Sequence, residues 1–267
     1  MKYGIKTERI EEKHKKPRSL TMVKHMIEQG ILNKTQGTTV RRVPYEVILL
    51  DKRYLPAVLA LQDYVSNSLE DDQTFVTDSK EFMEEEILAP GKGKMLGVLC
   101  EQELIAYRNI SFPCKDSTFN LGLELEIDPQ ELDKVAVLEA TVVHPNYRGN
   151  ALQARLLNHT LRLIEELGYY HVLSTISPYN YPSLKSVMSG QLVIRDLKNR
   201  DGVYGGRLRF LLARDLRKPL KTSFSNVVIV LNGEIERQME LLKEGYIGYE
   251  LRKQEGFFEI VYGKPHS

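Results

Sequence analysis

Two periodicities alternate along the chain, and the places where one gives way to the other mark the elements. Residues 45–50 are an apolar run that reads as a strand. A helix follows, with Pro56 in its first turn and Leu55, Leu59, Gln62 and Val65 on one side. A second helix is expected over about 79–88, where Asp78 and Glu81 have capping-box spacing. Residues 94–99 and 104–112 then form a hairpin through Glu101-Gln102-Glu103. The clearest unit is 135–167. The β-branched run Val135–Val143 is a buried strand, residues 144–149 are a tight turn, and a long helix comes after. Its apolar positions 152, 156, 163 and 167, with 157, 161 and 164 beside them, make one face, and Gly168 caps it. Downstream lie a strand over 169–176, a short helix with Pro182 in its first turn, and a hairpin of 191–198 with 203–212 through Asp201-Gly202.

The ends of the chain read differently. Residues 1–42 are rich in charge, with Lys13, Lys15, Lys16 and Arg18 near the front. Part of this segment, 20–32, is expected to form a short helix ending at Gly30, within a solvated, partly ordered extension. An arm that holds RNA, an acidic partner or a second subunit is the functional alternative. Residues 218–267 add a strand over 227–231, a helix with Asn232 as N-cap and Ile235, Met239 and Leu242 as its stripe, and a strand over 256–262. They are expected to cover a sheet edge. A dimer contact or a wall of the substrate pocket, using Tyr246 and Tyr249, is the alternative.

The chemistry lies in the turn before the long helix. Gly149, Asn150, Ala151 and Leu152 are expected to open that helix, with backbone N–H groups that have no partner inside it. Small residues at 149 and 151 would let a phosphate or pyrophosphate reach the backbone at the positive end of the helix dipole.

The run Asn146-Tyr147-Arg148-Gly149-Asn150-Ala151 resembles the acetyl-CoA loop of the GCN5-related N-acetyltransferases (GNAT), whose signature is Gln/Arg-x-x-Gly-x-Gly/Ala. Gly149 and Ala151 fill the small positions. Asn146 departs from the first, with Arg148 as a nearby cation. The β-α-α-β-β order upstream is how such domains begin. Asn180, Ser183 and Gly190 match a second family motif, Asn-x-x-Ala/Ser with a later Gly. That segment is one residue short, so Ser186 or Val187 stands where the family has Tyr.

The resemblance implies an α/β (α+β) GNAT fold, a mixed central sheet with helices on both faces. It would occupy 43–217, between an N-terminal extension (1–42) and a C-terminal β-α-β extension packed on the core (218–267). It implies acetyl-CoA as co-substrate, held by Val142, Val143, Arg148, Gly149, Asn150, Ala151 and Leu152, with Asn180 and Ser183. The sheet would splay at Val142 and Val143, where a backbone N–H can also stabilise the oxyanion. The activity implied is N-acetyl transfer to an amine, a small molecule being favoured over a protein. Glu139 is the candidate base, because a carboxylate inside an apolar strand needs a reason. Four residues before Val143, it is expected on the same face. His144 is a weaker alternative and reads as a turn residue. Tyr181 and Ser186, with Tyr179 beside them, are the substitutes for the missing acid. The connection over 112–134 carries Asp116, Glu124, Glu126, Asp128, Glu131 and Asp133, which could draw a cationic amine or simply face solvent. The missing Tyr also keeps open a second reading, a catalytically silent CoA-binding module with a sensing or interaction role.

Composition narrows this little. A net charge of +1 carries no polyanion signal, so no nucleic acid is expected. Cys100 and Cys114 are too few for a disulfide framework. With no long apolar run and no signal peptide, the expectation is a cytoplasmic protein without a membrane partner. With no C-x-x-C pair and no His cluster, no metal is expected.

Overall fold

The computed structural model of the chain describes residues 26–69, 74–219 and 223–266. An antiparallel meander runs through β1 (Met26–Gln36), β2 (Thr39–Leu50), β3 (Gly93–Cys100), β4 (Glu103–Ser111) and β5 (Val135–Val143). The sheet continues with β6 (His171–Ile176), then β8 (Arg207–Asp215) and β7 (Val193–Arg200). It ends with β10 (Ile247–Lys253), β11 (Phe258–Pro265) and β9 (Phe224–Leu231). The β5–β6 pair is parallel and the other neighbours are antiparallel.

Helices cover both faces, as the family resemblance implies. Those on one face are α3 (Leu152–Glu166), α4 (Tyr181–Ser189) and α5 (Ile235–Lys243), which bury Leu156, Ile164, Leu184 and Leu241 against Ala136, Leu138 and Phe210 of the strands. The other face holds α1 (Leu55–Ser66) and α2 (Lys80–Phe82), which runs on as a π turn over Met83–Ile87. There Val58, Leu61, Met83 and Ile87 meet Ile48, Met95, Tyr107 and Val142.

Two irregularities in β5 position the site. Pairing with β4 runs from Arg108↔Thr141 to Ile110↔Leu138, so Glu139 and Ala140 stand opposite the single residue Asn109. This bulge resets the alternation. Leu138 and Val143 pack on the α3 side, and Val142 packs on the α1 side. Glu139 and Val143 therefore do not share a face, contrary to the count of four residues. On the other edge, β5 pairs with β6 only from Val135↔His171 to Leu138↔Ser174, and beyond that the strands part.

Other local expectations are corrected. Residues 26–32 belong to strand β1 rather than a helix, and 20–25 lie outside the described residues. The boundary expected between 42 and 43 falls inside β2. β1 is tied down through Leu32, which is buried, and through Glu28. Glu28 accepts hydrogen bonds from Tyr45 and from Arg155 of α3 (2.6 Å), and meets His159 at 2.5 Å. The cap of α2 is Ser79, which accepts from the Phe82 amide, and not Asp78. The β7–β8 connection is longer than a two-residue turn. A 3-10 turn over Gly202–Tyr204 is followed by Gly205 and Gly206, both left-handed. In the C-terminal extension the residue before α5 is Glu234, not Asn232, and β10 is a strand that the pattern did not show.

Candidate functional site

After β5 the chain makes a 3-10 turn, Pro145–Tyr147, then crosses Gly149 (φ +82°) and Ala151 (φ +54°) before α3 begins at Leu152. The helix thus opens three residues later than expected, and its free amides are those of Leu152, Gln153 and Ala154. Arg155 is the first to bond inside the helix, to the Ala151 carbonyl at 3.0 Å. Glycine at 149 suits a backbone that most side chains avoid.

A groove of about 560 Å³ runs past this loop. Of the residues expected to hold CoA, Val142, Val143, Arg148, Gly149, Ala151, Leu152, Asn180 and Ser183 line it. Asn150 does not. Its side chain accepts from the Asn33 amide (2.8 Å) and donates to the carbonyls of Asn33 (2.7 Å) and Tyr147 (2.9 Å), tying the loop to β1. Asn180 caps α4 by accepting from the Ser183 amide (3.1 Å), and its amide donates to the Thr74 carbonyl (2.9 Å). The backbone of β5 offers donors here too. The His144 amide bonds to Ile105 of β4, so by strand alternation the amides of Val143 and Thr141 face away from β4, toward the gap left by β6.

On the α2 side lies a second cavity, of about 790 Å³. Phe82 and Phe119, edge to face with centroids 5.6 Å apart, form part of its wall, and Glu85, Glu86 and Asp201 line it as well. Between groove and cavity is a chamber of about 100 Å³. It shares Thr74, Phe75 and Thr141 with the groove, and Asp78, Glu139 and Tyr204 with the cavity. Glu139 accepts from Ser111 Oγ at 2.7 Å. Burial pushes its carboxyl up to about 7, and the charge of Asp78 adds to the rise. Burial likewise lifts Asp78 to about 6, against the bonds it accepts from Asn109 Nδ2 (2.7 Å) and the Ala140 amide. The two carboxylates titrate as a pair. Asp78 is fixed by Gln62, which bonds both its backbone amide (3.1 Å) and its carbonyl (3.0 Å) and is itself held by the Tyr107 hydroxyl (3.0 Å). The Tyr204 hydroxyl lies 2.6 Å from Thr175 Oγ1.

Ser186 and Val187, the alternatives for the missing Tyr, both line the chamber, and Ser186 Oγ is buried without a hydrogen-bond partner. Tyr181 is corrected out of the site. In the first turn of α4 it packs on Phe258 of β11, centroids 5.1 Å apart, with Lys253 over its ring, and it lines none of the three spaces. Tyr179 lines the groove. His144 is a turn residue. Its Nδ1 accepts from the Asn146 amide (3.1 Å), its ring stacks on Tyr64, and burial lowers its pKa. Among the acids of 112–134 only Glu124 reaches the second cavity, and it is ion-paired with Arg200 (2.7 Å) and Lys198 (2.6 Å). Glu131 is bound to Arg217 and His171. Tyr249 stacks on Phe224 and Tyr246 sits under Lys264, and neither lines the three spaces.

Among the ionisable side chains of the chamber, Asp78, Arg108, Tyr204 and Arg209 were missed as site residues. The Arg108 signal was present, a charge inside the apolar strand Glu103–Ser111. Among the described residues no group of three or more His, Cys, Asp or Glu is placed to hold a metal, and no helix is long and apolar enough to cross a membrane.

No family model matches the sequence, and no curated protein does. Solved structures do match in shape. Arabidopsis thaliana NAA60 in complex with acetyl-CoA aligns at 11% identity and a TM-score of 0.52, over 65% of this chain and 99% of that one. An N-acetyltransferase from Staphylococcus aureus Mu50 aligns at 13% and 0.49, over 65% and 99%. The ribosomal-protein-S18-alanine N-acetyltransferase from Escherichia coli aligns at 12% and 0.48, over 67% and 99%. The likeness to NAA60 takes in nearly the whole of that protein, and the fold of this chain is that of the GCN5-related N-acetyltransferase superfamily.

Proposed function

We propose that the chain transfers the acetyl group of acetyl-CoA to the amine of a small molecule. The observation that carries this reading is the meeting of groove and cavity at the Glu139–Asp78 pair. The free amides of α3 and Arg148 take the pyrophosphate. The pantetheine lies along the gap between β5 and β6, where the amides of Thr141 and Val143 have no strand partner among the described residues, and the Val143 amide stabilises the thioester oxyanion. The amine enters from the second cavity, whose volume suits a small ligand. Glu139, in its ionised form, takes a proton from the ammonium form, directly or through water, and the free amine attacks; with its carboxyl pushed up to about 7, that form gains as pH rises through neutrality. The C–N bond forms, the C–S bond breaks, and CoA leaves as the thiol. Ser186, which lines the chamber at one of the two positions where the family has Tyr, is the candidate acid, though a thiolate leaves readily without one. That NAA60 is solved with acetyl-CoA supports the choice of donor.

An amine library supplied with acetyl-CoA, read out as free thiol, tests this. Turnover on at least one amine is expected. CoA binding with no turnover on any amine would favour the alternative that the missing Tyr suggests, a silent CoA-binding module.

A further inference from the structure

Arg108 is the one charged side chain of β4 that points into the α3–α4 side of the sheet, together with Ala106 and Ile110. It is 1% exposed, its Nε is buried without a hydrogen-bond partner, and among the described residues it makes no ion pair. An unpaired buried guanidinium is costly to the fold and calls for a compensating anion. It lines the chamber beside Thr141, its register partner in β5. Arg209 of β8, 3% exposed, lines the same chamber, held by a bond to the Leu208 carbonyl (2.8 Å) and lying over the Tyr204 ring. Ser186 Oγ is buried there too and, like Arg108 Nε, has no partner. Asp78 and Glu139, the chamber's carboxylates, are bonded instead to Asn109 and Ser111.

We infer that the chamber is a carboxylate-binding subsite, built on Arg108 with Arg209 and Ser186, for a carboxylate carried by one of the two substrates. The volume of about 100 Å³ admits a carboxylate and little more. The planar guanidinium fork suits a carboxylate's two oxygens. Glu139, the proposed base, lines the chamber and also the second cavity, so a carboxylate held by Arg108 on the α3–α4 side of the chamber sits within a few bonds of the acceptor nitrogen or of the acyl carbon. The acceptor is then an amino acid, or the acyl group is that of a dicarboxylic acid. This inference rests on the acyl-transfer reading of the site.

The test is a pair of binding arms on the wild-type chain and on Arg108→Met. In the acceptor arm, amino acids and their decarboxylated amines are titrated into the CoA-loaded protein. In the donor arm, succinyl-CoA is compared with acetyl-CoA. In one arm the carboxylate form is expected to bind about 10-fold tighter or better, since a charge-assisted pair supplies at least that. Arg108→Met should erase the preference, leave CoA affinity unchanged and, by removing an unpaired buried charge, raise Tm by about 2–4 °C. Which arm responds identifies the substrate that carries the carboxylate. No preference in either arm, or a preference that survives Arg108→Met, overturns the inference. If Arg108→Met does not fold, Arg108→Lys keeps the charge without the fork and should lose most of the preference; full retention would be contrary. Turnover is read separately. A carboxylate preference without thiol release removes the transfer reading and leaves the subsite, and thiol release without a preference does the reverse.

Discussion

Glu139 stands among valines and alanines in β5, and the same burial that makes it costly makes it useful as a base near neutral pH. Glu139→Gln keeps the bond from Ser111 but cannot accept the proton. It should lower kcat/KM by about 10²–10⁴-fold with CoA affinity intact. The wild-type rate should rise with pH along a limb displaced above the usual carboxylate range. Asp78→Asn removes the neighbouring charge, so that limb should move to lower pH. Stability has the opposite sign. Glu139 in the folded chain holds its proton from about 4.5 up to about 7, where the unfolded chain has lost it, so stability falls as pH rises through that window. The Tm advantage of Glu139→Gln should therefore grow from pH 5 to pH 8, which thermal scans at the two pH values would show. Glu139 was legible because it breaks an apolar strand. Arg108 breaks one in the same way and could have been read by the same argument. Asp78 was not legible as a site residue, because Ser79 beside it is an equally good cap and only the tertiary contact with Asn109 decides between them.

Among the elements, the CoA loop and the β1–β2 hairpin depend on each other. Asn150 spends its side chain on β1, so β1 helps hold the loop in the shape that presents the amides of α3. Asn150→Ala should cost about 1 kcal/mol and weaken CoA binding several-fold, measured by denaturant titration and calorimetry. An Asn150→Ala chain with unchanged affinity would reduce the contact to a stabilising tie. The helix expected over 20–32 misled because β1 is an exposed outer strand with few buried positions, so its pattern is weak and its pairing with β2 is what decides. Tyr204 was hidden by the strong Asp201-Gly202 turn signal. Two further glycines lengthen the connection and place Tyr204 against Thr175. The strand, turn and helix around the CoA loop were legible because hydrophobic period, turn residues and Gly168 agree there.

At the scale of the whole molecule, the C-terminal extension prolongs the sheet rather than merely covering its edge. β10 joins β7 through Gly248↔Ile194. A Cβ on Gly248 would meet Ile194 Cδ1 at 3.0 Å and Ile260 Cγ2 at 3.1 Å. Gly248→Val should therefore cost about 1–3 kcal/mol, seen as a lower denaturation midpoint. Strand order and the parting of β5 from β6 are long-range facts that no local pattern carries; the parting was expected through the family resemblance, and the order is read from the structure. The central claim, a CoA groove at the start of α3 that feeds an acetyl transfer, is tested most directly by calorimetric titration of acetyl-CoA into wild type, Gly149→Ala and Gly149→Glu. Both variants put a side chain on a left-handed backbone with nothing within 4 Å of the new Cβ, so the alanine variant isolates strain and the glutamate variant adds an anion where the pyrophosphate sits. The account predicts that wild type binds, that Gly149→Ala binds somewhat more weakly, and that Gly149→Glu loses at least about 10-fold more. Equal affinity in the two variants would contradict it.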